Sequence, residues 1–381
     1  MFQRILNLQT LLIKKSHFLF GPRAVGKSTL VSLSIDQFTL FDLLNEETYR
    51  NLLRQPAILG ESIREPNQIV VIDEIQRIPE LLNEVQRLIF QKKGCFLLTG
   101  SSARKLKHGA SNLLGGRAWE ANLFPLISAE IPHFDLLQIL NRGGLPDVYQ
   151  SRYFKKELGS YVSLYLQQEI KAEALTRNVQ SFAEFLELVA IANGDEINYE
   201  SFASDCQVST STIKNYFQIL EDTLIGFRVN GFTKTTKRKS ISRAKHYLFD
   251  LGVANALNKK WIEDYSSANL GDAFEHFIAL ELRAYLKYRD SPKQLNYWRS
   301  VSKIEVDFVI EGEAAIEVKS TTAAAPKHMR ALRALREEGL FERYIIVSRD
   351  ERKRVTDDGI EIYPYREFLQ ELWSGTIVQS G

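Results

Sequence analysis

Four short apolar runs mark the first 135 residues: Phe18 to Phe20, Phe38 to Leu44, Ile69 to Asp73 and Cys95 to Gly100, each followed by polar or glycine residues. Compact apolar runs alternating with helical or loop stretches predict a parallel, doubly wound α/β sheet, whose ligand site lies at the strand C-termini. The first run enters FGPRAVGKST, with Gly21, four residues, Gly26, Lys27 and Ser28. That spacing is the P-loop pattern. Its glycines let backbone N–H groups turn inward, and Ser28-Thr29 open a helix whose positive end faces an anion. Lys27 is expected at the β- and γ-phosphates and Ser28 at Mg²⁺. A chance glycine turn would give the same string, but the third run ends in Asp73-Glu74, where one acid can bind Mg²⁺ and the next polarise the attacking water. The two features together predict an ATP or GTP site.

The fourth run closes on Thr99-Gly100-Ser101-Ser102, and a hydroxyl there, Ser101, is placed to sense the γ-phosphate; ordinary turn chemistry explains the same residues. Gly115-Gly116-Arg117 puts an arginine on a flexible loop, as a transition-state finger requires, although a surface ion pair would use it equally. Residues 136–180 read as helical, with Tyr149, Tyr153, Tyr161 and Tyr165 packing as a lid on the nucleotide domain. From 181 to about 232, two helices joined by a tight link at Gln207-Val208 have the shape of a helix-turn-helix. Ser209 or Thr210 caps the second, Ile213, Tyr216, Phe217 and Leu220 face the core, and Ser211, Thr212, Lys214 and Asn215 face a groove. The segment that follows, KTTKRKSISRAK from Lys234 to Lys245, has six basic residues and no acid. It suits DNA phosphates, or else a solvated wing.

In the C-terminal third, Glu305-Val306-Asp307 and Ile316-Glu317-Val318-Lys319 lie on two strands joined by a short turn, with Glu317 and Lys319 on one face. A hairpin brings Asp307 beside Glu317, a hard-oxygen pair for Mg²⁺ or Mn²⁺, and Lys319 would orient water or offset phosphate charge. Charged residues on an edge strand also serve solubility alone. A third carboxylate is expected from the helix GDAFEHFIALELRAY. Glu281 falls in line with Phe274, Phe277, Ile278 and Tyr285 and would need a buried partner, so Glu275, at the margin of that stripe, is favoured.

Composition adds bounds. The 381 residues suffice for two or three domains, with 44% hydrophobic and 25% charged residues, as in a soluble globular chain. A net charge of +2 gives no global nucleic-acid field. Two cysteines, Cys95 and Cys206, suit a reduced cytoplasmic protein, and no apolar run is long enough for a membrane.

With these motifs placed, the chain resembles the bacterial and archaeal AAA-type ATPases that carry a C-terminal DUF4143 domain, through GPRAVGKSTL, VVIDEIQRIPEL, LLTGSSARKL, GGRAWEANLFPLISAEI, GGLPDVY, HYLFDLGVANAL, EVDFVI and AIEVKS. The resemblance implies a P-loop AAA-type ATPase domain (1–135), a helical lid (136–180), a winged helix-turn-helix (181–246) and a restriction-endonuclease-like PD-(D/E)XK domain (247–381), with Val306 standing where that motif's name has proline. It implies an ATPase site of Gly21, Gly26, Lys27, Ser28, Asp73 and Glu74, and a nuclease-like set of Asp307, Glu317 and Lys319. Two functions follow: an ATPase that gates a metal-dependent DNA nuclease, or a nucleotide switch whose C-terminal domains dock DNA or a protein partner. Either can assemble as a homo-oligomer, with Arg117 acting within its own subunit or on a neighbour.

Overall fold

The computed structural model describes residues 2–102, 113–166 and 179–379. Among these, the strands form two sheets. The first contains β1 (Ser16–Phe20), β2 (Thr39–Asp42), β3 (Ile69–Asp73), β4 (Cys95–Gly100) and β5 (Ala118–Asn122), all parallel, in the order β2-β3-β4-β1-β5. The four predicted runs are its first four strands. β5 was not expected, because Ala-Trp-Glu-Ala-Asn carries no apolar run: it is an edge strand, with Trp119 and Glu120 exposed. Gly26, at φ +92°, turns the Gly21–Ser28 loop into the helix Lys27–Ser34, a conformation that favours glycine.

The expected helical stretch after 135 is broken into short pieces, Leu136–Arg142, Pro146–Gln150 and Phe154–Ser160, with Tyr149 and Tyr161 buried and Tyr153 exposed. The side chain of Tyr165, residues 167–178, and the ARKL end of the LLTGSSARKL motif lie outside the described part. Helices Val179–Ile191, Tyr199–Asp205 and Thr210–Asp222 follow, the last capped by Ser209 accepting from the Thr212 N–H at 3.1 Å. Ser211, Lys214 and Asn215 are exposed on it.

The second sheet holds β6 (Gly226–Gly231), β7 (Lys245–Leu248), β8 (Leu295–Arg299), β9 (Glu305–Ile310), β10 (Gly312–Val318), β11 (Phe341–Ser348), β12 (Arg354–Val355) and β13 (Glu361–Pro364), in the order β12-β13-β11-β10-β9-β8-β6-β7. β8, β9 and β10 form an antiparallel meander, and β11, after the helix Arg330–Arg336, runs parallel to β10. The long helix Leu270–Tyr288 buries Phe274, Phe277, Ile278 and Leu282 in the core shared with this sheet. β6 pairs antiparallel with β7 and parallel with β8, through Asn230 to Asn296 and Gly231 to Tyr297. The winged helix-turn-helix expected over 181–246 includes β6, which also pairs into the C-terminal sheet through β8.

Candidate functional site

The Gly21–Ser28 loop follows β1, and the Asp73-Glu74 pair ends β3, so both arrive at the C-terminal edge of the first sheet. They share a cleft of about 650 Å³ with Arg23, Thr29, Leu33, Leu44, Pro146 and Gln150. Gly21 fits tightly, since a Cβ there would lie 2.5 Å from the Leu123 carbonyl oxygen. The Lys27 ammonium donates to the carbonyls of Gly21 at 2.7 Å and Pro22 at 3.1 Å. Ser28 Oγ donates to Asp73 Oδ2 at 3.0 Å, while Thr99 Oγ1 donates to Asp73 Oδ1. Two hard oxygens thus meet at one point, a donor set that fits Mg²⁺.

Glu74, at φ +60°, turns out of β3. Burial pushes its carboxyl pKa up, with Lys27 opposing. The Gln76 side-chain amide donates to Glu74 Oε2 and, at 3.2 Å, to Ser101 Oγ. Ser101 is buried and reaches Glu74 only through Gln76, whereas Thr99 touches Asp73 directly. Gln76 escaped the sequence reading; the only signal was its place two residues beyond Glu74. Arg117 is not brought to this cleft. It immediately precedes β5, whose Ala118 pairs with Ser16 at the start of β1. Five residues of strand, roughly 16 Å, separate it from its own subunit's loop.

A second cluster lies on the C-terminal sheet. Asp307 and Glu317 are neighbours across β9 and β10, and Lys319 Nζ lies 2.6 Å from Glu317 Oε1 and 3.5 Å from Asp307 Oδ2. Asp307 Oδ2 also accepts from the Val318 N–H at 2.7 Å. Burial, with Glu275 nearby, pushes Asp307 up to about 6, and burial beside Asp307 holds Glu317 well above the carboxylate range. Glu275 was expected as the third ligand, but it is held by Lys245 Nζ at 3.2 Å and by the Tyr247 hydroxyl at 2.6 Å. Among the described residues, no group of three or more His, Cys, Asp or Glu is arranged to hold a metal ion. Among the described residues the expected Mg²⁺ or Mn²⁺ pair, Asp307 and Glu317, faces the Lys319 ammonium, and no third acid completes a metal site.

The basic run also departs from expectation. Lys234 pairs with Glu311, Arg238 with Glu337 at 2.7 Å, and Glu338 accepts from the backbone N–H groups of Thr236, Lys237 and Arg238. These acids come from β9's end and from beyond Arg330–Arg336, so the sequence window showed only the cations.

A buried chain of contacts joins the two sheets. Arg4 donates to the Val25 carbonyl at 2.9 Å, inside the glycine-rich loop, and pairs with Glu130 at 2.9 Å. Two residues before Glu130, Ser128 donates from its N–H (2.7 Å) and its hydroxyl (2.8 Å) to Glu281, which also accepts from Trp373 Nε1 at 2.7 Å. The buried partner that the helical phase of Glu281 demanded is this set.

Three family models match along the chain: an AAA domain over 14–131, a domain of unknown function (DUF8612) over 133–264, and a domain of unknown function (DUF4143) over 270–368. An uncharacterized protein of Methanocaldococcus jannaschii is 24% identical over 348 residues, covering 80% of this chain and 74% of the relative. An uncharacterized protein of Haemophilus influenzae is 24% identical over 233 residues, 56% of each chain. A signal-transduction ATPase with numerous domains and a tetratricopeptide repeat sensor, from Pyrococcus horikoshii, aligns at 12% identity with a TM-score of 0.24, covering 75% of this chain and 47% of that one. Among the described residues no helix is long and apolar enough to cross a membrane. The chain joins an AAA-type ATPase domain to a C-terminal DUF4143 domain.

Proposed function

We propose that the protein hydrolyses ATP at the Gly21–Ser28 P-loop and uses the nucleotide cycle to move C-terminal domains that dock DNA or a protein partner. The observation that carries this is the meeting of Lys27, Ser28, Asp73 and Glu74 in one cleft. Lys27 leaves its loop carbonyls for the β/γ-phosphates, the backbone of Gly21 to Thr29 cradles them, and Glu74 takes the proton of the attacking water. Ser28 and Asp73 would hold Mg²⁺, which would supply positive charge against the phosphates. Thr99 fixes Asp73, and Gln76 with Ser101 fixes Glu74. Because Arg117 lies at the far edge of its own sheet, its finger role requires a neighbouring copy, in a homo-oligomer. Ser211, Lys214 and Asn215 are the face offered to DNA. The test is nucleotide binding and turnover in the parent and Lys27→Ala, followed by titration of labelled DNA with and without an ATP analogue. Undiminished ATP binding in Lys27→Ala would sink the assignment.

A second reading, a Mg²⁺/Mn²⁺-dependent nuclease, is supported by the contact of Asp307, Glu317 and Lys319 on and beside two neighbouring strands. Nicking of a plasmid in Mn²⁺ but not in EDTA, lost in Asp307→Asn, would establish it.

A further inference from the structure

A buried carboxylate that the chemistry of the nucleotide cleft leaves unused stands behind one of its walls. Asp250 lies two residues beyond β7 and is fully buried. It caps the helix Leu251–Asn258, accepting from the Val253 N–H at 3.0 Å through Oδ1. Its other oxygen, Oδ2, accepts from the N–H of Gly144, 106 residues away in sequence, at 2.6 Å. Burial pushes the carboxyl up to about 6, against the N–H groups of Gly144, Val253, Gly252 and Leu145. Near neutral pH it is therefore ionised, and its hydrogen bonds are of the strong, charge-assisted kind.

The fit around this carboxylate is close. Gly143 stands at φ +75°, and a Cβ there would run into Asp250 Oδ1 and lie 2.5 Å from the Gly252 nitrogen. On the other side of the turn, the Gly144 carbonyl accepts from the Leu126 N–H at 2.7 Å, and a Cβ on Gly144 would lie 2.6 Å from the Leu126 carbonyl oxygen. The turn is thus clamped between the stretch that follows β5 and the stretch that follows β7. It leads directly into Pro146, which sits beside Gly26 of the P-loop: a Cβ on Gly26 would lie 3.9 Å from Pro146 Cγ. Pro146, Asp147 and Gln150 line the nucleotide cleft.

We propose that Asp250 is a positioning residue for nucleotide binding: its carboxylate holds the Gly143-Gly144 turn from the β7 side, sets Pro146, Asp147 and Gln150 as a wall of the cleft, and makes that wall and β7 shift together. The proposal rests on the ATPase reading and adds the part through which the cleft reaches the C-terminal sheet, since β7 pairs with β6 and β6 with β8. The wall supplies no group to the hydrolytic step, so Asp250 acts on affinity rather than on turnover.

The experiment pairs one variant with one measurement on the unaltered full chain. Asp250→Ser keeps an oxygen to cap Val253 and loses the one that holds Gly144. Steady-state ATP turnover is expected to show KM raised about tenfold or more with kcat within about twofold of the parent, and near-UV circular dichroism checks the fold. In the parent, an ATP analogue is expected to slow amide hydrogen exchange at residues 143–145 and, through the shared carboxylate, at 251–254, at least about threefold in each. That measurement decides the matter if Asp250→Ser fails to fold. Exchange slowed in the glycine-rich loop but not at 251–254, an unchanged KM in folded Asp250→Ser, or a kcat that falls as far as KM rises overturns the proposal and leaves the ATPase in place. A parent that neither binds nor turns over ATP removes the ATPase reading, and the positioning role with it.

Discussion

The nucleotide cleft and the acid cluster of the second sheet both place carboxylates near strand ends, and they differ in what those carboxylates face. Asp73 meets the hydroxyls of Ser28 and Thr99 beside an open cleft. Asp307 and Glu317 meet Lys319, and Glu275 meets Lys245, in a buried setting. A hydroxyl satisfies a carboxylate's hydrogen bonds and leaves its charge for an incoming cation. An ammonium cancels both. The carboxylates thus differ in their partners, hydroxyls at Asp73 and ammonium groups at Asp307, Glu317 and Glu275.

The largest expected effect sets the two regions against each other in one assay. Glu74→Gln should keep ATP binding and lose turnover by about 10² to 10⁴-fold, the range for removing a general base. Asp307→Asn should leave turnover unchanged. Equal ATPase rates in Glu74→Gln and the parent, or a matching loss in Asp307→Asn, would break the comparison.

The link between the regions is the next target. Arg4→Met strips the cation from Glu130, whose side chain is fully buried, and frees the Val25 carbonyl. Breaking a buried pair from one side costs about 3 kcal/mol or more, so urea unfolding should show a loss of that order and nucleotide affinity should fall with it. A loss under about 1 kcal/mol would reduce the pair to a surface-type contact.

Glu281 sharpens the comparison through pH. Burial pushes its carboxyl up to about 7 from 4.5, against its three hydrogen-bond donors. A carboxyl whose pKa is higher folded than unfolded keeps its proton longer in the folded state. Its contribution is therefore full below about 4.5 and is lost as pH rises through about 7. The stability difference between the parent and Glu281→Gln should then shift in favour of the variant from pH 5 to pH 8. A difference constant across that range would mean that Glu281 is ionised throughout.

The smallest effect belongs to the basic run. With Arg238 on Glu337 and Lys234 on Glu311, replacing Lys237, Arg238 and Lys239 by alanine should change the salt slope of any DNA binding by less than about one contact and stability by under about 1 kcal/mol. A slope change near three contacts would restore those residues to phosphate binding.

What could be read from the sequence was local. Gly21, Gly26, Lys27 and Ser28 are fixed by spacing within one turn, and Asp73-Glu74 by the end of an apolar strand. Helical phase showed that Glu281 must be buried and partnered, and strand alternation put Glu317 and Lys319 on one face. What could not be read came from distant segments: Arg4 beneath the glycine-rich loop, Glu337 and Glu338 under the basic run, and Lys245 among the acids. β5 went unseen because an edge strand needs no apolar run. Arg117 was read as a flexible-loop residue, and only the register of β5 against β1 shows which end of the sheet it occupies.

The pairing of β6 with β8 makes the segments on either side of residues 264–270 depend on each other. The matched DUF8612 and DUF4143 regions part between residues 264 and 270. The register pairs Asn230 with Asn296 and Gly231 with Tyr297 lie across that seam, and Lys245 on one side completes the charge balance of Glu275 and Glu305 on the other. Recombination at the seam would leave β8 with an open edge and Lys245 without its acids.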